Sequence, residues 1–323
     1  MSKKIVFMFS GQGSQYYHMG KELYNKSDIF RKWMDHCSKI AEPLINTSLT
    51  EILYSDQQKK FEPFKRTLYT HPAIFIFEYS LTQLLLSWGI NPDCLLGYSL
   101  GEYTANVISG VISVEDCLWM VIKQAELMEK YCPAASMMAI LESPSIYSQY
   151  PEIFQNCWIA AKNYQKHFVV TGSLEKLNEL YIFLKQKDIS AQILPVSHGF
   201  HSELIDPCEK EFKDFIAHIA LKPAQIKIVS AAYVEPIQES TVDYYWNVVR
   251  KTVEFEKTIE SMEKENSYCY IDLGPTGTLA SFVKYMLKPE SNSEAIGTIN
   301  QFGQDINSLE KLKHIIQRSG AHS

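Results

Sequence analysis

The chain has 323 residues, 46% of them apolar, and a formal charge of −6 with no basic block. That is enough apolar material for one large domain or two modest ones, and it argues against a nucleic-acid surface, which needs clustered cations. Seven cysteines at 37, 94, 117, 132, 157, 208 and 269 include no CxxC pair; they read as reduced thiols of a cytoplasmic protein, with neither a disulfide frame nor a metal site.

The opening residues, "MSKKIVFMFSGQG", hold an apolar run of about six residues, too short for a signal peptide or a membrane span. "KIVFMFS" is predicted as a buried strand that ends at "GQGSQ". "PAIFIFEYSLTQLLLSWG" reads as a helix, "PDCLLGYS" as a second strand, and "LGEYTANVISG" as a helix stopping at Gly110. "SVEDCLWMVIKQAELMEK" is a further helix, with Ser113 and Asp116 spaced as a capping box. Strands alternating with helices predict an α/β fold with a mainly parallel sheet.

From Ser136 the pattern changes to strand "SMMAIL", helix near 145–154, strands "CWIAAKN" and "HFVVTG", helix "SLEKLNELYIFLKQKD" and strand "SAQILPV". This βαββαβ order is ferredoxin-like. The expected organisation is a large α/β-hydrolase-like domain from 1–132 and 198–300 with a small ferredoxin-like subdomain inserted at 133–197. The polar residues 301–323 are expected to form a peripheral tail.

"GYSLG" places Ser99 between Gly97 and Gly101 where a strand turns into a helix. Such an elbow exposes the hydroxyl above the sheet, and glycines at both flanks avoid side-chain collisions across the turn. The amide of Leu100 then lies at a helix start, where an unpaired N–H can hold a developing oxyanion. A nucleophilic serine needs a base. His314 and His322 lie in the polar tail, so the candidates are His201 in "VSHGFHSELI" and its neighbour His198, with His201 preferred.

Four motifs in order, "GQGSQ", "GYSLGEY", "GFHS" and "YIDLGPTGTLASF", resemble those of the malonyl-CoA:acyl carrier protein transacylases and the acyltransferase domains of polyketide synthases, over about residues 4–300. The resemblance implies Ser99 as nucleophile, His201 as base, and an oxyanion hole from the backbone amides of Gln12 and Leu100. It implies no acidic third member; a backbone carbonyl near Val248 should orient the imidazole. The resemblance also implies no bound cofactor, with the acyl group arriving on the phosphopantetheine of an acyl carrier protein or on coenzyme A.

Three positions depart from the resembled pattern. Malonyl-loading members place an arginine 25 positions after the nucleophile to pair with the acyl carboxylate; here that residue is Gln124, beside Met120, Val121, Leu127 and Met128 on its helix. Lys123 should point about 100° away, and arginines occur only at 31, 66, 250 and 318. Tyr98 stands where those members have histidine, and His71 where they have glutamine, while Phe200 keeps the malonyl-type signature. Similar stand-alone homologues that carry this glutamine act as acyl hydrolases in pathways whose synthases lack built-in acyltransferases. The expectation is therefore an acyl-carrier-protein thioester hydrolase of polyketide biosynthesis, acting as a monomer with a carrier protein as partner. The alternatives are a malonyl or other acyl transacylase and a non-catalytic carrier-docking module.

Overall fold

The computed structural model describes residues 3–318. Its strands are β1 (Lys4–Phe9), β2 (Cys94–Gly97), β3 (Ser136–Ile140), β4 (Cys157–Tyr164), β5 (His167–Gly172), β6 (Ala191–Ile193), β7 (Lys227–Ser230), β8 (Glu235–Pro236), β9 (Tyr268–Asp272) and β10 (Glu294–Gly297). They form two sheets, one in the order β10-β9-β1-β2-β7-β8 and one in the order β4-β5-β3-β6. In the first, β10, β9, β1, β2 and β7 run parallel and β8 closes the edge antiparallel. Its central strands are continuous apolar runs, with Ile5 to Phe9 and Cys94 to Leu96 buried and only Lys4 at the start of β1 exposed, as expected of a sheet covered on both faces.

Helix Thr67–Ser87 is also buried nearly all round, lying between helices Asp28–Ile45 and Val114–Tyr131. Among the described residues no helix is long and apolar enough to cross a membrane.

The second sheet is antiparallel, with the strand order of a βαββαβ unit. Alternation along its strands divides the side chains between two cores. Met138 and Ile140 of β3 and Phe168 and Val170 of β5 pack with Leu177, Leu180 and Leu184 of helix Leu174–Gln186. Met137, Ala139 and Val169 face the core of the large sheet instead. The period-2 geometry of a strand thus lets one small sheet carry its own core and also attach itself to the larger one. Strand β4 is further stitched to the segment after helix Val242–Arg250: the Lys162 amide donates to the Val253 carbonyl (2.8 Å) and the Val253 amide to that of Ala160 (2.9 Å).

One expectation is corrected. Residues 305–318 are not peripheral: helix Asp305–Arg318 buries Leu309, Leu312 and Ile316 in the main core, and the Asp305 amide donates to Glu22 (2.8 Å). Its apolar stripe is narrow and repeats at helical spacing, so the average polarity conceals it. His314 sits exposed on this helix, and His322 lies outside the described residues.

Candidate active site

Strand β2 delivers the chain to Ser99, and helix Gly101–Ile108 takes it away. The Tyr98 amide donates to the Phe9 carbonyl (2.9 Å), which ties the ends of β2 and β1 together. Ser99 has φ +55°, a left-handed conformation that costs a non-glycine residue about 1–3 kcal/mol and that its surroundings must hold in place. The flanking glycines are required by contact: a Cβ on Gly97 would run into Glu102, and one on Gly101 into the Phe9 carbonyl.

The Ser99 hydroxyl donates to His201 Nε2 at 2.8 Å, and His201 Nδ1–H donates to the Lys251 carbonyl at 2.6 Å. The second bond fixes the tautomer, leaving the Nε2 lone pair free to accept the serine proton. Both residues are buried. Burial lowers the His201 pKa to about 4 against the opposing pull of the Lys251 carbonyl, so the ring is neutral at pH 7 and able to act as a base. His201 has φ +61°, and its own amide is anchored on the Val249 carbonyl (2.8 Å).

The expected orienter, Val248, is therefore corrected to Lys251. Val248 lies within helix Val242–Arg250, whereas Lys251 caps that helix with φ −78° and ψ 152°. There the backbone has turned extended, and its carbonyl is free to leave the helix ladder for the imidazole.

The loop after β1 lies against the elbow: a Cβ on Gly11 would come within 3.0 Å of the Ser99 Cβ. Neither the Gln12 nor the Leu100 amide has an acceptor among the described residues. The Gln12 side chain is turned away, its Nε2 donating to Thr70.

His198 takes no part in this arrangement, because its Nδ1 bonds Thr67 Oγ1 (2.8 Å). The Tyr98 hydroxyl donates to Asn163 Oδ1 (2.8 Å), and Asn163 Nδ2 donates to His167 Nδ1 (2.9 Å). That chain links the elbow to the β4–β5 hairpin, and no sequence motif announced it.

Gln124 is fully buried. Its Nε2 donates to the Tyr103 hydroxyl (2.7 Å), which in turn donates to the Tyr245 carbonyl (3.1 Å). Because the Tyr103 proton is committed to a carbonyl, Gln124 must present its nitrogen to Tyr103, leaving Oε1 as an unpartnered buried acceptor. His71 is likewise buried and packs against Phe200 with ring centroids 5.2 Å apart and the ring planes tilted by 40°. Desolvation, with a smaller push from His198, lowers its pKa to about 3, so it brings no positive charge. Lys123 pairs with Glu126 on the outer face of its helix. Arg31, Arg66 and Arg250 are each paired with a carboxylate, on Asp28, Glu129 and Asp206.

Residues 6–322 match the family model described as acyl transferase domain. The chain is 39% identical to the polyketide biosynthesis acyltransferase homolog PksD of Bacillus subtilis, over 97% of each chain. It is also 39% identical to the polyketide biosynthesis acyltransferase homolog BaeD of Bacillus velezensis, over 98% of each. Its fold superposes on the acyl transferase domain of SpnD, solved in complex with 2-(pent-4-yn-1-yl)malonyl, with a TM-score of 0.89 at 23% identity, covering 99% of this chain and 77% of that one. On the family match and the identity to these relatives, the chain belongs to the acyl transferase domain family.

Proposed function

We propose that this chain is a serine-dependent hydrolase that removes acyl units from the phosphopantetheine arm of an acyl carrier protein in polyketide biosynthesis. The Ser99 oxygen attacks the thioester carbonyl while His201 Nε2 takes its proton, and the oxyanion is met by the Gln12 and Leu100 amides. Collapse expels the thiol, which takes the proton from the imidazolium. Water, deprotonated by the same nitrogen, then attacks the acyl-serine ester, and as the C–O bond breaks the imidazolium returns the proton to Ser99 Oγ and the carboxylic acid leaves. Throughout, the Lys251 carbonyl accepts the Nδ1 proton and steadies the imidazolium, the part an aspartate plays in other triads.

The observation that carries the choice of substrate is the absence, among the described residues, of a cation paired with Gln124. An acceptor-presenting amide and a neutral imidazole cannot pair with a malonyl carboxylate, which would lose its water for nothing in return. Neutral acyl groups carry no such cost. The test is a panel of acyl-carrier-protein thioesters followed by intact-protein mass spectrometry. Hydrolysis of acetyl and propionyl units ahead of malonyl is the expected outcome, and a stable malonyl adduct on Ser99 opposes it.

The second reading, a transacylase, rests on Phe200, which occupies the malonyl-type position beside His71. A non-catalytic docking module is disfavoured by the intact pairing of Ser99 with His201. In our reading residues 133–197 form the small subdomain and 1–132 with 198–300 most of the body, the acyl arm enters the cleft between them, and the protein works as a cytoplasmic monomer.

A further inference from the structure

Glu78 is the one acidic residue of the apolar helix Thr67–Ser87 and is wholly buried. Its Oε1 accepts from the Ser10 amide (2.6 Å) and from the Ser10 hydroxyl (2.8 Å). Ser10 Oγ lies 3.0 Å from Ser14 Oγ, and Ser14 Oγ donates to the Gly11 carbonyl (2.9 Å). The Gly11 carbonyl and the Gln12 N–H belong to one planar peptide, so whatever holds that oxygen also aims that hydrogen. On its other side Glu78 Oε2 accepts from the hydroxyl of Thr104 (3.1 Å), on the helix whose N-cap residue is Leu100.

We infer that Glu78 is a positioning residue for the oxyanion hole, tying the loop that presents the Gln12 amide to the helix that presents the Leu100 amide. The inference rests on the reading of those two amides as the oxyanion donors.

Charge supports it. Burial raises the Glu78 pKa to about 8 against the pull of its Ser10 and Thr104 bonds, and Asp272 at the end of β9 adds a further upward push. Asp272 is itself held by the amides of Gly274 and Ala280 (each 2.9 Å). Glu102, the acid on the helix that carries Thr104, is turned toward Ser230 and Tyr244 (each 2.7 Å). At neutral pH the Glu78 carboxyl is therefore mostly protonated. Thr104 donates to Oε2 and the Ser10 amide and hydroxyl donate to Oε1, and while the carboxyl keeps its proton no negative charge stands behind a forming oxyanion. Above about pH 8 that charge appears and acylation slows.

The test is single-turnover acylation of Ser99 by an acetyl thioester from about pH 5 to about pH 9.5, in the full chain and in Glu78→Gln, Glu78→Ala and Ser14→Ala. Glu78→Gln, whose amide reproduces the neutral acid, should react within about threefold of the parent at pH 7 and lose the alkaline fall. Glu78→Ala should lower the acylation rate by about 10- to 100-fold with KM within about twofold, since the oxyanion forms only in the transition state. Should Glu78→Ala fail to fold, Ser14→Ala, expected to lose about tenfold in rate at constant KM, replaces it. A parent with no alkaline fall, an unaltered fall in Glu78→Gln, or a wild-type rate in Glu78→Ala or Ser14→Ala overturns the inference and leaves the Ser99 reading intact. Continued turnover by Ser99→Ala would defeat the functional reading itself.

Discussion

The carbonyl oxygen of Lys251 stands 2.6 Å from Nδ1 of His201, in the place where many serine enzymes put a carboxylate. A peptide carbonyl carries no charge to neutralise the imidazolium, but it cannot be removed by changing a side chain. Lys251→Ala should therefore keep turnover within about twofold, because the lysine side chain only lies over Tyr233 (4.2 Å to the ring centroid). A loss beyond about tenfold, about 1.4 kcal/mol, would show that the side chain acts in the reaction.

Ser99→Ala and His201→Ala should each lower thioester turnover by about 1,000-fold or more, since members of one catalytic unit fail together. His198→Ala should retain most of it, because that ring serves Thr67. In the parent, kcat/KM should fall on the acid side near pH 4 as His201 takes a proton. Steady-state kinetics across pH on the three variants decide this, and a dead His198→Ala beside an active His201→Ala would reverse the assignment of the base.

Gly101→Ala should destabilise the fold by about 3 kcal/mol or more, because the new methyl meets the Phe9 carbonyl and backbone cannot step aside cheaply. Gly89→Ala is the control: nothing lies within 4 Å of its Cβ position, and only its φ of +76° opposes the change, at about 1–2 kcal/mol. Urea denaturation of both variants gives the comparison, and equal losses would mean that contact at the elbow costs nothing.

Stability should also depend on pH through Glu78. Its folded pKa of about 8 stands above the ordinary value of 4.5, so its contribution is complete below about pH 4.5 and is lost as pH rises through 8. Glu78→Gln cannot titrate there. Its stability relative to the parent should improve by up to about 4 kcal/mol between about pH 5 and about pH 9. Thermal melts at both ends measure the difference; a constant difference would mean that Glu78 is already ionised at pH 5.

What was legible in the sequence was what local geometry writes into residue type. The Gly-Tyr-Ser-Leu-Gly elbow needs its glycines, so Ser99 could be found from them; the alternation of strands with helices foretold a mainly parallel sheet, and the βαββαβ order foretold the small one. His201 followed from its motif, but its orienter did not: any residue supplies a carbonyl, and only the end of the helix at Arg250 decides that Lys251 supplies this one. The closing helix was hidden because Leu309, Leu312 and Ile316 are few among polar neighbours. Glu78 left a sign in "PAIFIFEYSL", a single acid in a run that otherwise belongs to the core. The bond from Tyr103 to Tyr245 that orients Gln124 joins residues 142 positions apart, beyond any local pattern.

The most direct test of the hydrolase reading is the ratio of Ser99 acylation rates for acetyl and malonyl carrier-protein thioesters, measured in the parent and in Gln124→Arg. The parent should prefer acetyl by about tenfold or more, about 1.4 kcal/mol, and pass the acyl group to water. Gln124→Arg should turn the ratio toward malonyl, because a guanidinium there supplies the missing counter-charge. A parent that already prefers malonyl tenfold and holds it as a stable ester would contradict the account and make this chain a malonyl transacylase.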